Sequence, residues 1–204
     1  NAAPARIEDR QLQPWDWKDV DIHVESTWKK GVERPRSIQS RVAAHYVAEG
    51  FQVVFNDDDA GEAADLICLK ETEELIRLVL VHCKFSGKPD PGERIKDVVE
   101  VSSQAIRSAA WRGNFERLYR HMISRSKLAG NGSTTRSRFV KGSMQRLSDF
   151  SRAARMKAVE MEIIIVQPGV MRSAITDDQA MVLGSASAYL RQTIDVDLSV
   201  VCSV

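Results

Sequence analysis

The chain has 204 residues, of which 43% are hydrophobic and 28% charged, and its formal net charge at neutral pH is +1. This composition supports an ordinary folded core and excludes a disordered tail, a collagen-like repeat and a disulfide-stapled scaffold. No apolar run approaches the ~18 residues of a membrane-spanning helix, and the first residues lack the apolar core of a secretion signal. The three cysteines are widely spaced, with no CxxC pair. We therefore expect a cytoplasmic protein with reduced thiols, no zinc cluster and no membrane contact.

Residues 1–34 form a polar segment that contains three of the four tryptophans, namely Trp15, Trp17 and Trp28. We predict an irregular arm or linker there, whose aromatic side chains pack onto a domain spanning 35–204. The arm would then lie outside the regular elements of the fold.

The helices and strands of the domain are predicted from hydrophobic periodicity and from the residues that begin or end each element. In chain order, the pattern predicts a helix over 37–50, strands over 51–55, 64–69 and 76–84, a helix over 93–111, a basic helical insertion over 112–157, a strand over 161–166 closed by Pro168 and Gly169, a helix over 177–191 and a strand over 197–202. The strand over 76–84 is apolar on both faces, which is typical of a central strand. This order predicts an α/β fold in which helices cover a mixed central sheet.

The charges are strongly segregated along the chain. The segment 112–157 contains twelve Lys or Arg and two acids, so that it carries a formal charge of +10 and the remainder −9. Two helices are predicted in it, over 114–129 and 143–157, joined by a Gly- and Ser-rich loop at 130–135 that we expect to be mobile. Such a segment is typical of contacts with phosphates, although a solvated face or a protein-docking surface is the alternative. The predicted nucleic-acid contacts are Arg112, Arg117, Arg120, Arg125, Lys127, Arg136, Arg138 and Lys141.

Two predicted strands carry polar residues where they approach each other. Asp65 opens the strand over 64–69 directly after an acidic turn at 56–62, and His82-Cys83-Lys84 ends the next strand. Strand alternation places His82 and Lys84 on one face and Cys83 on the other. If the strands form a hairpin, Asp65 lies close to this pair. Buried charges without partners or a metal are costly, so the arrangement indicates a site.

The layout resembles the PD-(D/E)xK nuclease superfamily, which has a restriction-endonuclease-like fold. In that family an Asp begins one strand and an acid-x-Lys triplet ends the next. The resemblance implies that Asp65 and a second acid hold Mg²⁺ or Mn²⁺ and that Lys84 positions and deprotonates the attacking water. His82 stands at the position of the second acid, which departs from the family pattern. Gln104, on the following helix, corresponds to a Gln that contacts the site in some branches, although Ser108 replaces the Tyr of their motif.

A longer string narrows the resemblance. The stretches 80–86, 91–94 and 100–105 together with Trp111 are similar to nuclease-like domains at the C-terminal end of large bacterial helicase-type proteins. The resemblance implies a helicase motor in the same chain or in a partner, and a role in DNA processing or in defence against foreign DNA. It covers about residues 37–204.

Several readings of His82 remain open at this point. The imidazole could ligate a softer metal than Mg²⁺ or act as a general base near pH 7. Alternatively, the second carboxylate comes from Glu62, Asp59 or Glu100, or the site is degenerate. The resulting hypothesis assigns catalytic roles to Asp65, His82, Lys84 and Gln104, and metal ligation to Asp65, His82 and Glu62.

The sequence favours one function and leaves two alternatives. The first is a divalent-metal-dependent DNA endonuclease domain that hydrolyses phosphodiester bonds, with RNA left open as a partner. The second is a nuclease fold that has lost catalysis and binds nucleic acid. The third is a protein-interaction platform that uses the basic surface.

Overall fold

A computed structural model describes residues 5–88, 90–128 and 137–204. Its main feature is a seven-stranded mixed sheet with the strand order β1-β9-β8-β6-β5-β4-β7. The strands are β1 (Leu12–Trp15), β4 (Val53–Asn56), β5 (Leu66–Glu71), β6 (Leu75–Cys83), β7 (Phe139–Lys141), β8 (Ala158–Met171) and β9 (Leu198–Ser203), and a separate hairpin is formed by β2 (Trp28–Lys29) and β3 (Val32–Glu33). The predicted α/β fold with a mixed central sheet is confirmed.

The strand that the sequence predicts to be central, β6, is the fourth of the seven. It pairs antiparallel with β5 and parallel with β8. Its side chains alternate between two hydrophobic clusters, with Leu78 and Leu80 in one and Val79 and Val81 in the other. A strand buried on both faces needs apolar residues at successive positions, which explains its unbroken hydrophobic run.

Helices cover both faces of the sheet. The helices are α1 (Ile38–Ala48), α2 (Lys96–Arg107), α3 (Phe115–Leu128), α4 (Met144–Ala153) and α5 (Asp177–Ile194), and a 3-10 helix over Ser108–Trp111 continues α2. Residues of α2, α3, α4 and α5 share one hydrophobic cluster, and α1 packs with residues of the arm in the other. None of the helices in the described ranges is long and apolar enough to cross a lipid bilayer.

The arm is more regular than predicted. Its strand β1 pairs parallel with β9 and forms one edge of the central sheet. Trp17 is buried, and its indole Nε1 donates a hydrogen bond to the carbonyl of Cys202 at 3.2 Å. The expected packing of the arm's aromatic residues onto the domain is thus observed. The strand β1 was not predicted, because four residues show too little alternation of apolar and polar side chains to be recognised from sequence.

Two further elements differ from the predictions. The strand β8 continues through Pro168 and Gly169, because a shift in its register with β9 between Val166 and Met171 accommodates them. The basic segment 112–157 contains a strand as well as helices, since β7 pairs antiparallel with β4 at the other edge of the sheet. The loop at 130–135, predicted to be mobile, lies outside the described residues, as does Arg136.

Candidate metal centre

Asp65 is held in a defined orientation immediately before β5. The residue is 2% exposed, and its two carboxylate oxygens accept hydrogen bonds from Gln39 Nε2 and from the backbone N–H of Cys83, each at 2.8 Å. Gln39 is fully buried on α1 and is itself fixed by the backbone N–H of Thr27. The bond to Cys83 joins the start of β5 to the end of β6, so Asp65 lies beside the residue that precedes Lys84.

Two carboxylates from the acidic turn join Asp65. One oxygen each of Asp58, Glu62 and Asp65 lie within 4.8 Å of one another. The turn is closed by its own hydrogen bonds, since the Glu62 carboxylate accepts from the N–H of Asp59 at 3.1 Å. Three carboxylate oxygens are the hard ligands that Mg²⁺ and Mn²⁺ prefer. The donor set therefore fits the cation that the family resemblance implies.

The electrostatics of this acidic cluster also favour a cation. Burial raises the pKa of Asp65 well above its ordinary value, and the charge of Glu62 raises it further. Burial likewise raises the pKa of Glu62, with a further contribution from Asp58. No Lys or Arg in the part of the chain that the structure describes forms an ion pair with these three side chains. A bound divalent cation would relieve this repulsion.

The raised pKa of Asp65 predicts a pH-dependent stability in the absence of metal. The folded state binds a proton on the Asp65 carboxyl more tightly than the unfolded chain does. This proton therefore stabilises the folded state at low pH, and the stabilisation is lost as pH rises from near 3.8 through the folded pKa. The free energy of unfolding of Asp65→Asn should therefore increase relative to wild type between pH 5 and pH 8. Urea denaturation in EDTA measures this difference.

The exposed neighbour Asp59 supplies the control for that comparison. Its side chain is 68% exposed, so Asp59→Asn should change the free energy of unfolding by less than about 1 kcal/mol. A pH-independent difference between Asp65→Asn and wild type would contradict the proposed electrostatics of the cluster.

The acidic turn is anchored by a buried network rather than by solvent. Asp57 is fully buried, and its carboxylate accepts hydrogen bonds from Arg125 Nε at 2.8 Å, from the N–H of Ala63 at 2.8 Å and from His121 Nε2 at 2.6 Å. Arg138 is also buried and donates to the carbonyls of Asn56 and Asp58. The prediction that Arg125 and Arg138 contact nucleic acid is therefore corrected: both guanidinium groups hold the turn that carries Asp58 and Glu62.

Lys84 follows β6 and is enclosed by two glutamates. Its Nζ lies 2.6 Å from Glu100 Oε1 on α2 and 3.4 Å from Glu25 Oε2 in the arm. Burial alone would lower the pKa of Lys84, but the bonds and charges of Glu100 and Glu25 together raise it. Lys84 is thus protonated at neutral pH. Glu100, a candidate second carboxylate from the sequence, serves as a partner of this lysine.

His82 does not join the carboxylates. Its Nε2 lies 2.7 Å from Ser108 Oγ, and the group of potential ligands contains Asp58 instead of His82. Burial lowers the pKa of His82 to about 3, with a smaller effect from Arg107. A neutral imidazole of such low basicity is a poor general base at pH 7. The two carboxylates grouped with Asp65 come from the turn, and His82 is not in this group. Its roles as metal ligand and as general base stay predictions.

A cavity of about 590 Å³ opens beside the acidic cluster. It is lined by the turn residues 58–63, and by His82, Gln104, Arg107, Ala110 and Trp111. Gln104 therefore borders the cavity and forms no hydrogen bond with Asp65 or Lys84. Its catalytic role stays a prediction. We call this space the His82 cavity.

The other predicted phosphate contacts differ in exposure. Arg112, Arg117 and Arg120 are exposed, and Arg120 bonds Glu116 at 3.0 Å. Lys141 is half-buried near the carbonyl of Val47, while the side chain of Lys127 lies outside the described residues. Acids from other parts of the chain neutralise part of the basic segment. Glu71, for example, pairs with both Arg146 and Lys157.

Two residues of the candidate site were missed or undervalued by the sequence reasoning. Asp58 lies in a run of three aspartates that is typical of a solvated turn, and its four-residue spacing from Glu62 was the available signal. Glu25 carries no local signal, because only the packing of the arm brings it to Lys84.

In comparisons with known proteins, no family model, no curated protein and no solved structure matches the chain.

Proposed function

We propose that this chain is a divalent-metal-dependent nuclease domain with a restriction-endonuclease-like fold, related to the PD-(D/E)xK superfamily. The observation that carries the proposal is the group of three carboxylates at the start of β5, which lies beside the end of β6 that leads into Lys84. The carboxylate of Asp65 accepts a hydrogen bond from the residue before Lys84, and Asp58 and Glu62 complete a set of oxygen ligands. The resemblance places an acid and a lysine at these same two strand ends.

In this proposal Asp58, Glu62 and Asp65 hold Mg²⁺ or Mn²⁺. When bound, the cation supplies a Lewis acid that polarises the scissile phosphate and lowers the pKa of water. Lys84 donates hydrogen bonds from a protonated ammonium that Glu100 and Glu25 hold in place. A protonated lysine cannot accept a proton from water, so its role is to orient the nucleophile and to stabilise phosphate charge. This role differs from the deprotonation that the resemblance implies.

The proposed substrate of the nuclease is nucleic acid, and the family resemblance favours DNA. The exposed Arg112, Arg117 and Arg120 supply phosphate contacts near the 3-10 helix that borders the His82 cavity. Phosphate contacts position a strand without reading its sequence. A helicase motor, in the same chain or in a partner, is the associated activity that the resemblance implies.

The test is a cleavage assay on plasmid and oligonucleotide substrates with Mg²⁺ or Mn²⁺. Asp65→Asn should lower the cleavage rate by roughly 10²–10³-fold, because several kcal/mol of metal-dependent charge stabilisation are lost. Asp59→Asn removes an acid from the same turn but outside the cluster and should cleave like wild type. Equal rates for wild type and Asp65→Asn would overturn the proposal.

A catalytically inactive nucleic-acid-binding module is the second candidate. It is favoured by His82, which stands at the position of the family's second acid and is bonded to Ser108 rather than directed to the cluster. This alternative predicts salt-sensitive binding of nucleic acid with no cleavage by any divalent metal.

A further inference from the structure

Asp57 is tied to the backbone beside each member of the acidic cluster. It directly precedes Asp58 in the chain. Its carboxylate oxygen Oδ2 accepts a hydrogen bond at 2.8 Å from the N–H of Ala63, the residue that follows Glu62. Its own N–H donates to the carbonyl of Asp65 at 2.9 Å. The placement of Asp57 therefore sets how the three residues of the cluster are spaced.

Two side chains of α3 hold the Asp57 carboxylate, one on each oxygen. Arg125 Nε donates to Oδ1 at 2.8 Å, and His121 Nε2 lies 2.6 Å from Oδ2, the same oxygen that accepts from Ala63. A carboxylate that is paired with an arginine only accepts hydrogen bonds, so Nε2 of the imidazole carries the proton of this bond. His121 thus acts on the oxygen that closes the acidic turn.

The two partners of Asp57 contribute differently to the turn. Arg125 also donates to the carbonyl of Ala60 at 2.8 Å, so it supports the turn at more than one point. The ring of His121 forms one hydrogen bond among the described residues, and it packs against Trp111 with 5.3 Å between the ring centroids. Removal of the His121 bond leaves the Arg125 ion pair in place, but it frees the carboxylate to tilt about that pair.

We propose that His121 is a positioning residue of the cation site, which acts through Asp57 to fix the spacing of Asp58, Glu62 and Asp65. This inference rests on the proposed function, because it takes the acidic cluster to bind Mg²⁺ or Mn²⁺. The three carboxylate oxygens lie within 4.8 Å of one another, and a tilt of Asp57 displaces the turn that carries two of them.

The coordination chemistry of the cation makes this spacing matter. Mg²⁺ requires near-ideal octahedral geometry, with oxygen ligands at about 2.0–2.1 Å. Residues that orient metal ligands without touching the metal typically change metal affinity by roughly 10–100-fold when they are replaced. An effect of this size is expected from a residue that controls the turn, because the turn supplies two of the three carboxylates.

The test measures Mn²⁺ affinity by isothermal titration calorimetry. His121→Leu and His121→Phe both remove the hydrogen-bond donor, and the second keeps a ring next to Trp111. Each should weaken Mn²⁺ binding by roughly tenfold or more. The side-chain amide introduced by His121→Gln can donate to Asp57 in place of the imidazole, so this variant should bind within about threefold of wild type.

Ser124→Leu is the matched control, because Ser124 is exposed on the same helix. It should leave the Mn²⁺ affinity unchanged. Urea denaturation in EDTA reports the stability of every variant separately. A purely structural role of His121 would lower the free energy of unfolding and leave the Mn²⁺ affinity of the folded protein at the wild-type value, which would overturn the inference. Equal weakening by His121→Gln and His121→Leu would also overturn it.

The outcomes distinguish this inference from the proposed nuclease function. Cleavage by the wild type, together with wild-type Mn²⁺ affinity in His121→Leu and His121→Phe, would remove the positioning role and leave the nuclease standing. Mn²⁺ binding that depends on His121, without cleavage of any substrate, would overturn the nuclease and retain the positioning role. Absence of Mn²⁺ binding by the wild type would overturn both.

Discussion

Arg125→Ala should lower the free energy of unfolding by about 3–5 kcal/mol, the cost of leaving a buried charge without its partner. The Arg125 guanidinium donates to the carboxylate of Asp57 and to the carbonyl of Ala60, each at 2.8 Å. Asp57 is fully buried, so its charge would then depend on His121 and on one backbone N–H. Urea denaturation monitored by tryptophan fluorescence measures the loss.

Arg120→Ala is the matched control for this change. Arg120 lies on the same helix, but its side chain is 77% exposed and pairs with Glu116. We expect it to change the unfolding free energy by less than about 0.5 kcal/mol. Arg125→Lys keeps the charge but loses the forked set of hydrogen-bond donors. Its loss of unfolding free energy should therefore lie between those of Arg125→Ala and Arg120→Ala. A loss below about 1 kcal/mol for Arg125→Ala would contradict the anchoring role.

Lys84→Met should lower the rate of metal-dependent cleavage by roughly 10²–10⁴-fold, the range for loss of a positioned proton donor or charge stabiliser. The substitution keeps the aliphatic stem and removes the ammonium that lies 2.6 Å from Glu100 and 3.4 Å from Glu25. The acidic cluster remains complete. Mg²⁺ should therefore still raise the melting temperature of Lys84→Met, whereas it should not raise that of Asp65→Asn.

Lys70→Met is the control for Lys84→Met, since Lys70 lies on β5 and donates to the carbonyl of Glu49 away from the cluster. It should cleave at the wild-type rate. Full cleavage by Lys84→Met would remove the lysine from the mechanism and leave the acidic cluster to be explained separately. If Mg²⁺ did not raise the melting temperature of Lys84→Met, the lysine would instead support metal binding.

The same tests separate catalysis from folding. The three replaced residues differ in their surroundings: Arg125 supports the acidic turn, Asp65 lies in the cluster, and Lys84 lies beside it. A purely structural role would make loss of cleavage follow loss of stability in every variant. The proposed roles predict that Arg125→Ala mainly affects stability, and that Lys84→Met mainly affects cleavage.

The sequence by itself determined the elements whose signals are local. The unbroken apolar run of β6 indicated a strand covered on both faces, and Ser37 indicated the start of α1. The hairpin predicted for the neighbouring strands brings the start of β5 to the end of β6, where Asp65 accepts a hydrogen bond from Cys83. Regular periodicity and short sequence separation make such predictions possible.

Only the tertiary structure decided how the charged residues are used. Asp57 and Asp58 are adjacent in the same acidic run, yet one is buried against Arg125 and the other faces Glu62 and Asp65. Arg125 and Arg117 belong to the same basic helix, yet one supports the turn and the other is exposed. Glu25 reaches Lys84 from far along the chain. The energy of a charge depends on its burial and on its partners, and both are set by long-range packing that no local pattern encodes.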